Sequence, residues 1–267
     1  NVYNAALFNK SSIHKNISNI TLAPGSTVQY TRNGDQPITN ANGLVYQELL
    51  LSGDGNKTAP MDILTVLGNL SKSGNAVFVH NGGTVLLNGS GPQEFAGLTY
   101  NNIILQNNTK SAVGSCVIID SIKISAVTTL SIRAGDTVTL RSGPAKTARM
   151  GIVEGTINYN TSGKFIVERY IPARKAWRFL SVATNSGQTI KEAWQERANV
   201  SSADPAPGFG TQLTSDRPSW AGDGFDLHSV SPSIKTYDAA TNSYTGIAST
   251  NSVLSAGAGG YMIFIRG

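Results

Sequence analysis

Between residues 26 and 141 the chain alternates short apolar runs with turn residues. STVQY, LVYQELLL, DILTVLGNL, AVFVH, TVLLNG, NNIILQ, CVIIDSIKIS, TTLSIRA and DTVTLRS are each β-branched or Leu-rich, and NG, GDGN, SGN, NGG and GSGP separate them. Apolar residues at every second position, closed off by Asn and Gly, are the pattern of half-buried strands. No period of 3.6 residues runs through the stretch, so it predicts strands and no helix. An internal likeness sharpens this. Ser26-Thr27-Val28, Asn33-Gly34, Gln36, Ile38, Tyr46 and Leu49-Leu50-Leu51 parallel Gly83-Thr84-Val85, Asn88-Gly89, Gln93, Phe95, Tyr100 and Ile103-Ile104-Leu105, offset by 57 residues at the start. Units that cannot bury an apolar face alone must stack, and Asn and Gly suit the left-handed backbone of tight corners. Residues 1–150 are therefore expected to form a right-handed parallel β-helix, a solenoid with rungs of roughly 20 to 25 residues. Two β-sandwich domains are the alternative all-β arrangement.

Beyond residue 150 the texture changes. Residues 151–164 read as a connector and residues 165–267 as a smaller, compact antiparallel β domain. Trp177, Trp194 and Trp220, the three tryptophans of the chain, all lie there. KFIVERYIP and ARKAWRFLSVAT predict two strands joined at a Pro172 corner. TIKEAWQERA (residues 189–198) predicts a short helix, with Thr189 as its cap and Glu192 completing a capping box. Residues 201–224 read as a long loop, DAATN as the turn of a hairpin, and YMIFIR as a closing strand.

Composition narrows the class. Charged residues make up 14% of the chain, about half the usual share of a soluble domain. With 28 glycines this excludes a coiled coil or helical bundle, and Val, Ile and Leu recur too steadily for disorder. No run approaches the length of a membrane-spanning helix. The net charge is +5 and the pI about 9.3, but the excess is dispersed: 11 basic against 7 acidic residues up to residue 150, and 10 against 9 after it. No basic stripe with interleaved aromatics appears, so nucleic acid is not an expected partner; an acidic polysaccharide suits the charge. One cysteine excludes an intramolecular disulfide and a cysteine-based metal site. The opening NVYNAALFNK has neither initiator Met nor signal features, as expected of a mature form or internal fragment.

The residues that carry chemistry are sparse. His14, His80 and His228 lie far apart in sequence and at no metal-ligand spacing, and neither metal nor cofactor is expected. Cys116 opens an apolar run, where a buried and inert thiol is expected. Asp54 and Asp62, flanking Lys57, form the single acidic cluster on one rung, but Asp54 sits in a turn where Asp bonds backbone; an enzyme is not expected. Asp223 and Asp226, with Gly222 and Gly224, lack the ligand pattern of a calcium loop and read as a solvated turn. The best ligand candidate is the basic-aromatic run containing Arg174, Lys175, Trp177, Arg178 and Phe179. Strand alternation puts Lys175, Trp177 and Phe179 on one face and Arg178 on the other. Trp177 would stack on a sugar ring while Arg174 or Arg178 gripped a carboxylate. The competing expectation, favoured by two successive aromatics on one face, is that Trp177 and Phe179 form the core of the second domain.

GTVLLNGSGPQEFAGLTYNNIILQN (residues 83–107), LLLSGDGNKT, ILTVLGNLSKSGN, VERYIPARKAWRFLSVAT (residues 167–184) and AGGYMIFIRG (residues 258–267) resemble modules of very long cell-surface proteins of Bacteroidota. The resemblance implies an adhesin-like or filament chain, non-catalytic and extracellular, exported by the type IX secretion machinery, with flanking modules of the same chain as partners. A carbohydrate-binding module and a β-helix polysaccharide lyase or glycosidase are the alternatives. Asp120-Ser121-Ile122 and Asp136-Thr137-Val138 are similar to the O-glycosylation signal of that phylum, which makes Ser121 and Thr137 candidate acceptors.

Overall fold

The computed structural model describes residues 20–40, 43–172, 174–182, 187–195, 211–254 and 260–265. His14, the end of the predicted helix (196–198) and the first part of the predicted loop (201–210) lie outside the described residues. The chain divides into two compact units between Ile171 and Pro172.

The first unit is a parallel β-solenoid. One sheet stacks β1 (Thr27–Tyr30), β4 (Glu48–Leu51), β7 (Leu70–Lys72), β10 (Gln93–Ala96), β12 (Asn108–Val113), β14 (Thr128–Ile132) and β17 (Thr156–Tyr159) in that order. A second stacks β3 (Val45–Tyr46), β6 (Ile63–Val66), β9 (Thr84–Leu87), β11 (Thr99–Leu105), β13 (Cys116–Ile124), β15 (Thr137–Leu140) and β18 (Lys164–Val167), with β16 (Arg149–Val153) also paired to β13. A third, short sheet stacks β2 (Gln36–Pro37), β5 (Asn56–Thr58) and β8 (Val77–Val79). Alternation drives the fold: every second residue points inward, and like positions meet from rung to rung. Val28, Leu49, Leu70, Phe95, Ala112 and Ile132 form one such column, and Leu64, Val85, Ile103 and Ile122 another. All are buried, each contributing about 1.5–3 kcal/mol for the larger side chains.

The rung is 21 residues long where all three sheets are present, as Val28, Leu49 and Leu70 or Gln36, Lys57 and Phe78 show. The 57-residue likeness is therefore not a rung-on-rung repeat. Val28 lies in the first sheet and Val85 in the second; what the two copies share is a strand, a corner and the next strand, transposed onto a different pair of sheets.

The structure corrects the expected connector. Residues 149–167 form β16, β17 and β18, which continue the parallel ladder. Met150, Ile157 and Phe165 pack against the core, but among the described residues the strands of this last rung pair on one side only, and Ile152, Tyr159 and Val167 are exposed. That one-sided burial gives the segment its mixed, connector-like composition. KFIV and AWRFL are both strands, as expected, but they belong to different sheets: β18 ends the solenoid, and the strand after Pro172 opens the second unit.

In the second unit β19 (Ala176–Leu180), β24 (Tyr261–Ile265), β22 (Ile234–Asp238) and β23 (Ser243–Gly246) form an antiparallel sheet in that order. The hairpin of β22 and β23 turns at the predicted DAATN. A short parallel pair, β20 (Thr214–Ser215) and β21 (Leu227–His228), completes the strands. Helix α1 (Ile190–Trp194) carries the predicted capping box: Thr189 Oγ1 accepts from the Glu192 amide at 3.2 Å, and the Glu192 carboxylate accepts from the Thr189 amide at 2.8 Å.

Candidate ligand-binding face

Cross-strand register decides which side chains of the second unit share a face. Trp177 stands opposite Phe264, Phe179 opposite Met262, Met262 opposite Lys235, and Tyr237 opposite Tyr244. By alternation these residues project from one side of the sheet. Ile234, Tyr261, Ile263 and Ile265 project from the other and are buried. The aromatic side is the open one: Phe179 is 71% exposed, Tyr237 49%, Tyr244 45% and Trp177 38%.

The exposed rings are arranged, not scattered. Trp177 and Phe264 lie 5.2 Å apart between centroids, Tyr237 and Tyr244 5.1 Å, and Phe179 and Tyr244 6.4 Å, all within the range of favourable aromatic pairs. The Lys235 ammonium lies over the Trp177 ring, 5.1 Å from its centroid, a cation–π contact. Between Phe179, Tyr237, Tyr244 and Met262 opens a cleft of about 220 Å³ with Gly260 and Ser181 in its lining. Gly260 has φ +112°, a conformation that side-chain-bearing residues rarely adopt, and a Cβ there would approach the Leu180 carbonyl at 3.3 Å. Tyr237 Oη donates to Asn242 Oδ1 at 2.8 Å, which holds this wall against the hairpin turn. Chemically the face offers broad apolar planes edged by the hydroxyls of Tyr237 and Tyr244 and by the Lys235 ammonium.

This arrangement overturns the expectation that Trp177 and Phe179 form the core. Tyr261, Ile263 and Ile265 of β24 stand opposite Leu180, Arg178 and Ala176, and they are the residues that fill the interior. Arg178 consequently faces away from the aromatic side, with its Nε buried and without a hydrogen-bond partner. Arg174 and Lys175 are exposed ahead of β19. Lys235, Tyr237, Tyr244, Gly260 and Met262 escaped the sequence reading. The hairpin turn at DAATN held the signal for two of them, since its closure sets Tyr237 opposite Tyr244.

The remaining candidates do not assemble. Lys57 is buried, its Nζ donating to the carbonyls of Arg32, Gly34 and Asp54 at 2.5, 3.3 and 2.9 Å. The Asp54 carboxylate accepts from the Gly34 amide of the preceding rung, a bond between rungs rather than the local turn bond expected of it. Burial pushes the Cys116 thiol up to about 12, in keeping with an inert side chain. His80 accepts from the Gly82 amide at 3.0 Å, and His228 lies 3.3 Å from the Asp216 carbonyl. Asp223 accepts from Ser219 and Arg217 at 2.5 and 3.0 Å; Asp226, by contrast, is buried and accepts from the Leu213 amide at 2.6 Å. Among the described residues no group of His, Cys, Asp and Glu could hold a metal ion. Ser121 is half-buried and its hydroxyl donates to Asn102 Oδ1 at 2.6 Å; Thr137 is half-buried on the strand that carries it. Asp120, beside Ser121, pairs with Lys146 at 3.1 Å and Arg149 at 3.7 Å.

Fold and site define the class: a parallel β-solenoid followed by a small antiparallel β domain that bears an exposed aromatic face. No protein-family model, curated protein or solved structure matches the chain.

Proposed function

We propose that the chain is a non-catalytic adhesive segment of a long secreted cell-surface protein, in which the solenoid acts as spacer and the aromatic face of the β domain binds carbohydrate. The observation that carries this reading is the open row of Trp177, Phe179, Tyr237 and Tyr244 on a sheet whose other side is the core. Exposing large rings forgoes roughly 25 cal/mol for every Å² left in water, and contiguous exposed apolar patches mark interaction sites. The resemblance of the rung motif and of VERYIPARKAWRFLS to modules of Bacteroidota surface proteins supports the longer chain, export by the type IX machinery and avidity through repeated weak sites. The test is a glycan array probed with the whole chain and with Trp177→Ala and Tyr244→Ala. Retention of a glycan by the wild type and its loss in both folded variants is the expected result; an array on which the wild type retains nothing overturns the carbohydrate reading.

A further inference from the structure

We propose that the aromatic face selects acidic sugars: one pyranose ring occupies the cleft over Gly260, and Lys235 takes the carboxylate or sulfate of the neighbouring sugar. The proposal rests on the carbohydrate-binding reading and adds the ligand's charge and the residue that reads it.

Three observations carry it. The cleft, at about 220 Å³, is smaller than the roughly 300–1,000 Å³ of sites that enclose a drug-sized ligand, which is the scale of a single ring. Phe179 and Tyr244 stand across it with centroids 6.4 Å apart, and Gly260 lies in its lining. Next, Lys235 stands one strand over from the cleft lining. It stands opposite Met262 in register, and Met262, itself opposite Phe179, lines the cleft. The Trp177 ring lies under the Lys235 ammonium, so an extended ligand leaving the cleft towards Trp177 passes the cation. Strand rise makes that displacement roughly 7 Å for two residues.

Last, the ammonium has no anionic partner among the described residues. No ion pair involves Lys235. The acid on its own strand, Asp238, falls on the opposite side by alternation and accepts from the Ala240 amide at 2.9 Å. Nor does any carboxylate stand among the residues that register places on the aromatic side. A cation held over an aromatic ring near a ring-sized cleft, with no ion-pair partner among the described residues, is complementary to an anionic ligand and unneeded by a neutral one. Charge-assisted hydrogen bonds are about twice as strong as neutral ones.

Calorimetric titration of the whole chain with oligogalacturonate and with its methyl ester tests this, because the two ligands share one ring and differ in charge. The expected result is that the uronate binds more tightly, that added salt weakens it, and that Lys235→Gln lowers its affinity about tenfold while leaving the ester unchanged. Phe179→Ala abolishes binding of both, with circular dichroism confirming the fold. Equal affinity for the two oligomers, or no effect of Lys235→Gln, overturns the charge selection and leaves the carbohydrate reading standing. Uronate binding that survives Phe179→Ala unchanged overturns the cleft assignment. Chondroitin sulfate and cellohexaose are titrated alongside: sulfate-dependent binding at Lys235 supports the proposal, and a preference for cellohexaose overturns it. Failure of all four ligands, together with an empty array, removes the carbohydrate reading itself.

Discussion

Lys110 lies directly beside Gln93 in the next rung of the solenoid, and both serve the same corner. Gln93 Oε1 accepts from the Gly89 amide at 2.6 Å, and Lys110 Nζ donates to the Gly89 and Gly91 carbonyls at 2.9 and 3.3 Å. Gln36 and Lys57 repeat the device. Gln36 Oε1 accepts from the Arg32 amide at 3.2 Å, and Lys57, its partner in register, donates to the Arg32 and Gly34 carbonyls. In both corners the lysine serves the carbonyls four and two residues before the glutamine. A corner breaks the β ladder and strands its backbone groups, and buried backbone groups must be paired; here the ammonium of the next rung supplies the donors. This shared corner is what the 57-residue likeness marks.

Replacing Lys110 by Met keeps much of the side-chain volume and removes the donors. The carbonyl of buried Gly89 then loses this donor, while that of exposed Gly91 can turn to water, so Lys110→Met is expected to lower stability by about 1–3 kcal/mol. Denaturant melts of wild type and variant measure it. An unchanged midpoint shows that the corner carbonyls find other donors.

Burial lowers the Lys110 pKa from 10.5 to about 8. A lysine depressed in the folded state binds fewer protons there than in the unfolded chain between these two values, so stability rises with pH across that window. The cost of burying the charge is fully present below pH 8 and is relieved as pH climbs towards 10.5. Lys57 shifts in the same direction, again because burial disfavours its charged form. Comparing melts of wild type and Lys110→Met from pH 7 upward should show a smaller rise in the variant.

Thr189→Ala removes the cap of α1. The Oγ1 acceptor at the helix start is lost, and with it the Oγ1 contact to the Glu192 carboxylate, which keeps the backbone amide of residue 189, for an expected cost of about 1 kcal/mol. Amide exchange read by mass spectrometry should quicken for the segment containing Ile190–Trp194 and leave the solenoid strands unchanged.

Cys116 is buried at the start of β13 with its thiol pushed up to about 12. Since the thiolate is the reactive species, a thiol reagent at pH 8 should label the native chain at a negligible rate and the denatured chain rapidly. Fast labelling of native protein would show that β13 opens readily.

Trp177→Ala and Phe179→Ala should change stability little, within about 0.5–1 kcal/mol, because neither side chain fills the core. Ile263→Ala on the opposite side should cost about 2–5 kcal/mol. The reverse ranking in thermal melts would place the aromatic side in the interior.

Much was legible in the sequence because it depends on neighbours along the chain. Alternation in TVLL or CVIID marks strands, Asn-Gly marks corners, Thr189 followed by Glu192 marks a helix start, and DAATN marks a hairpin. The second unit shows where that reasoning ends. Period-two alternation places Trp177 and Phe179 on one side of β19 and Arg178 on the other, but it is symmetric and does not say which side is buried. Burial was decided by β24, more than eighty residues away, whose Tyr261, Ile263 and Ile265 face inward and turn the aromatic residues out. The cleft likewise needs Phe179, Tyr244 and Gly260, which come from three strands or their ends. The solenoid repeats the lesson: apolar runs identify the rungs, whereas stacking at 21 residues, and the extension of the ladder through residues 149–167, follow from which strands meet in space. Local pattern determined that this chain is built of strands and corners. Long-range pairing alone decided which faces they close and which face they leave open.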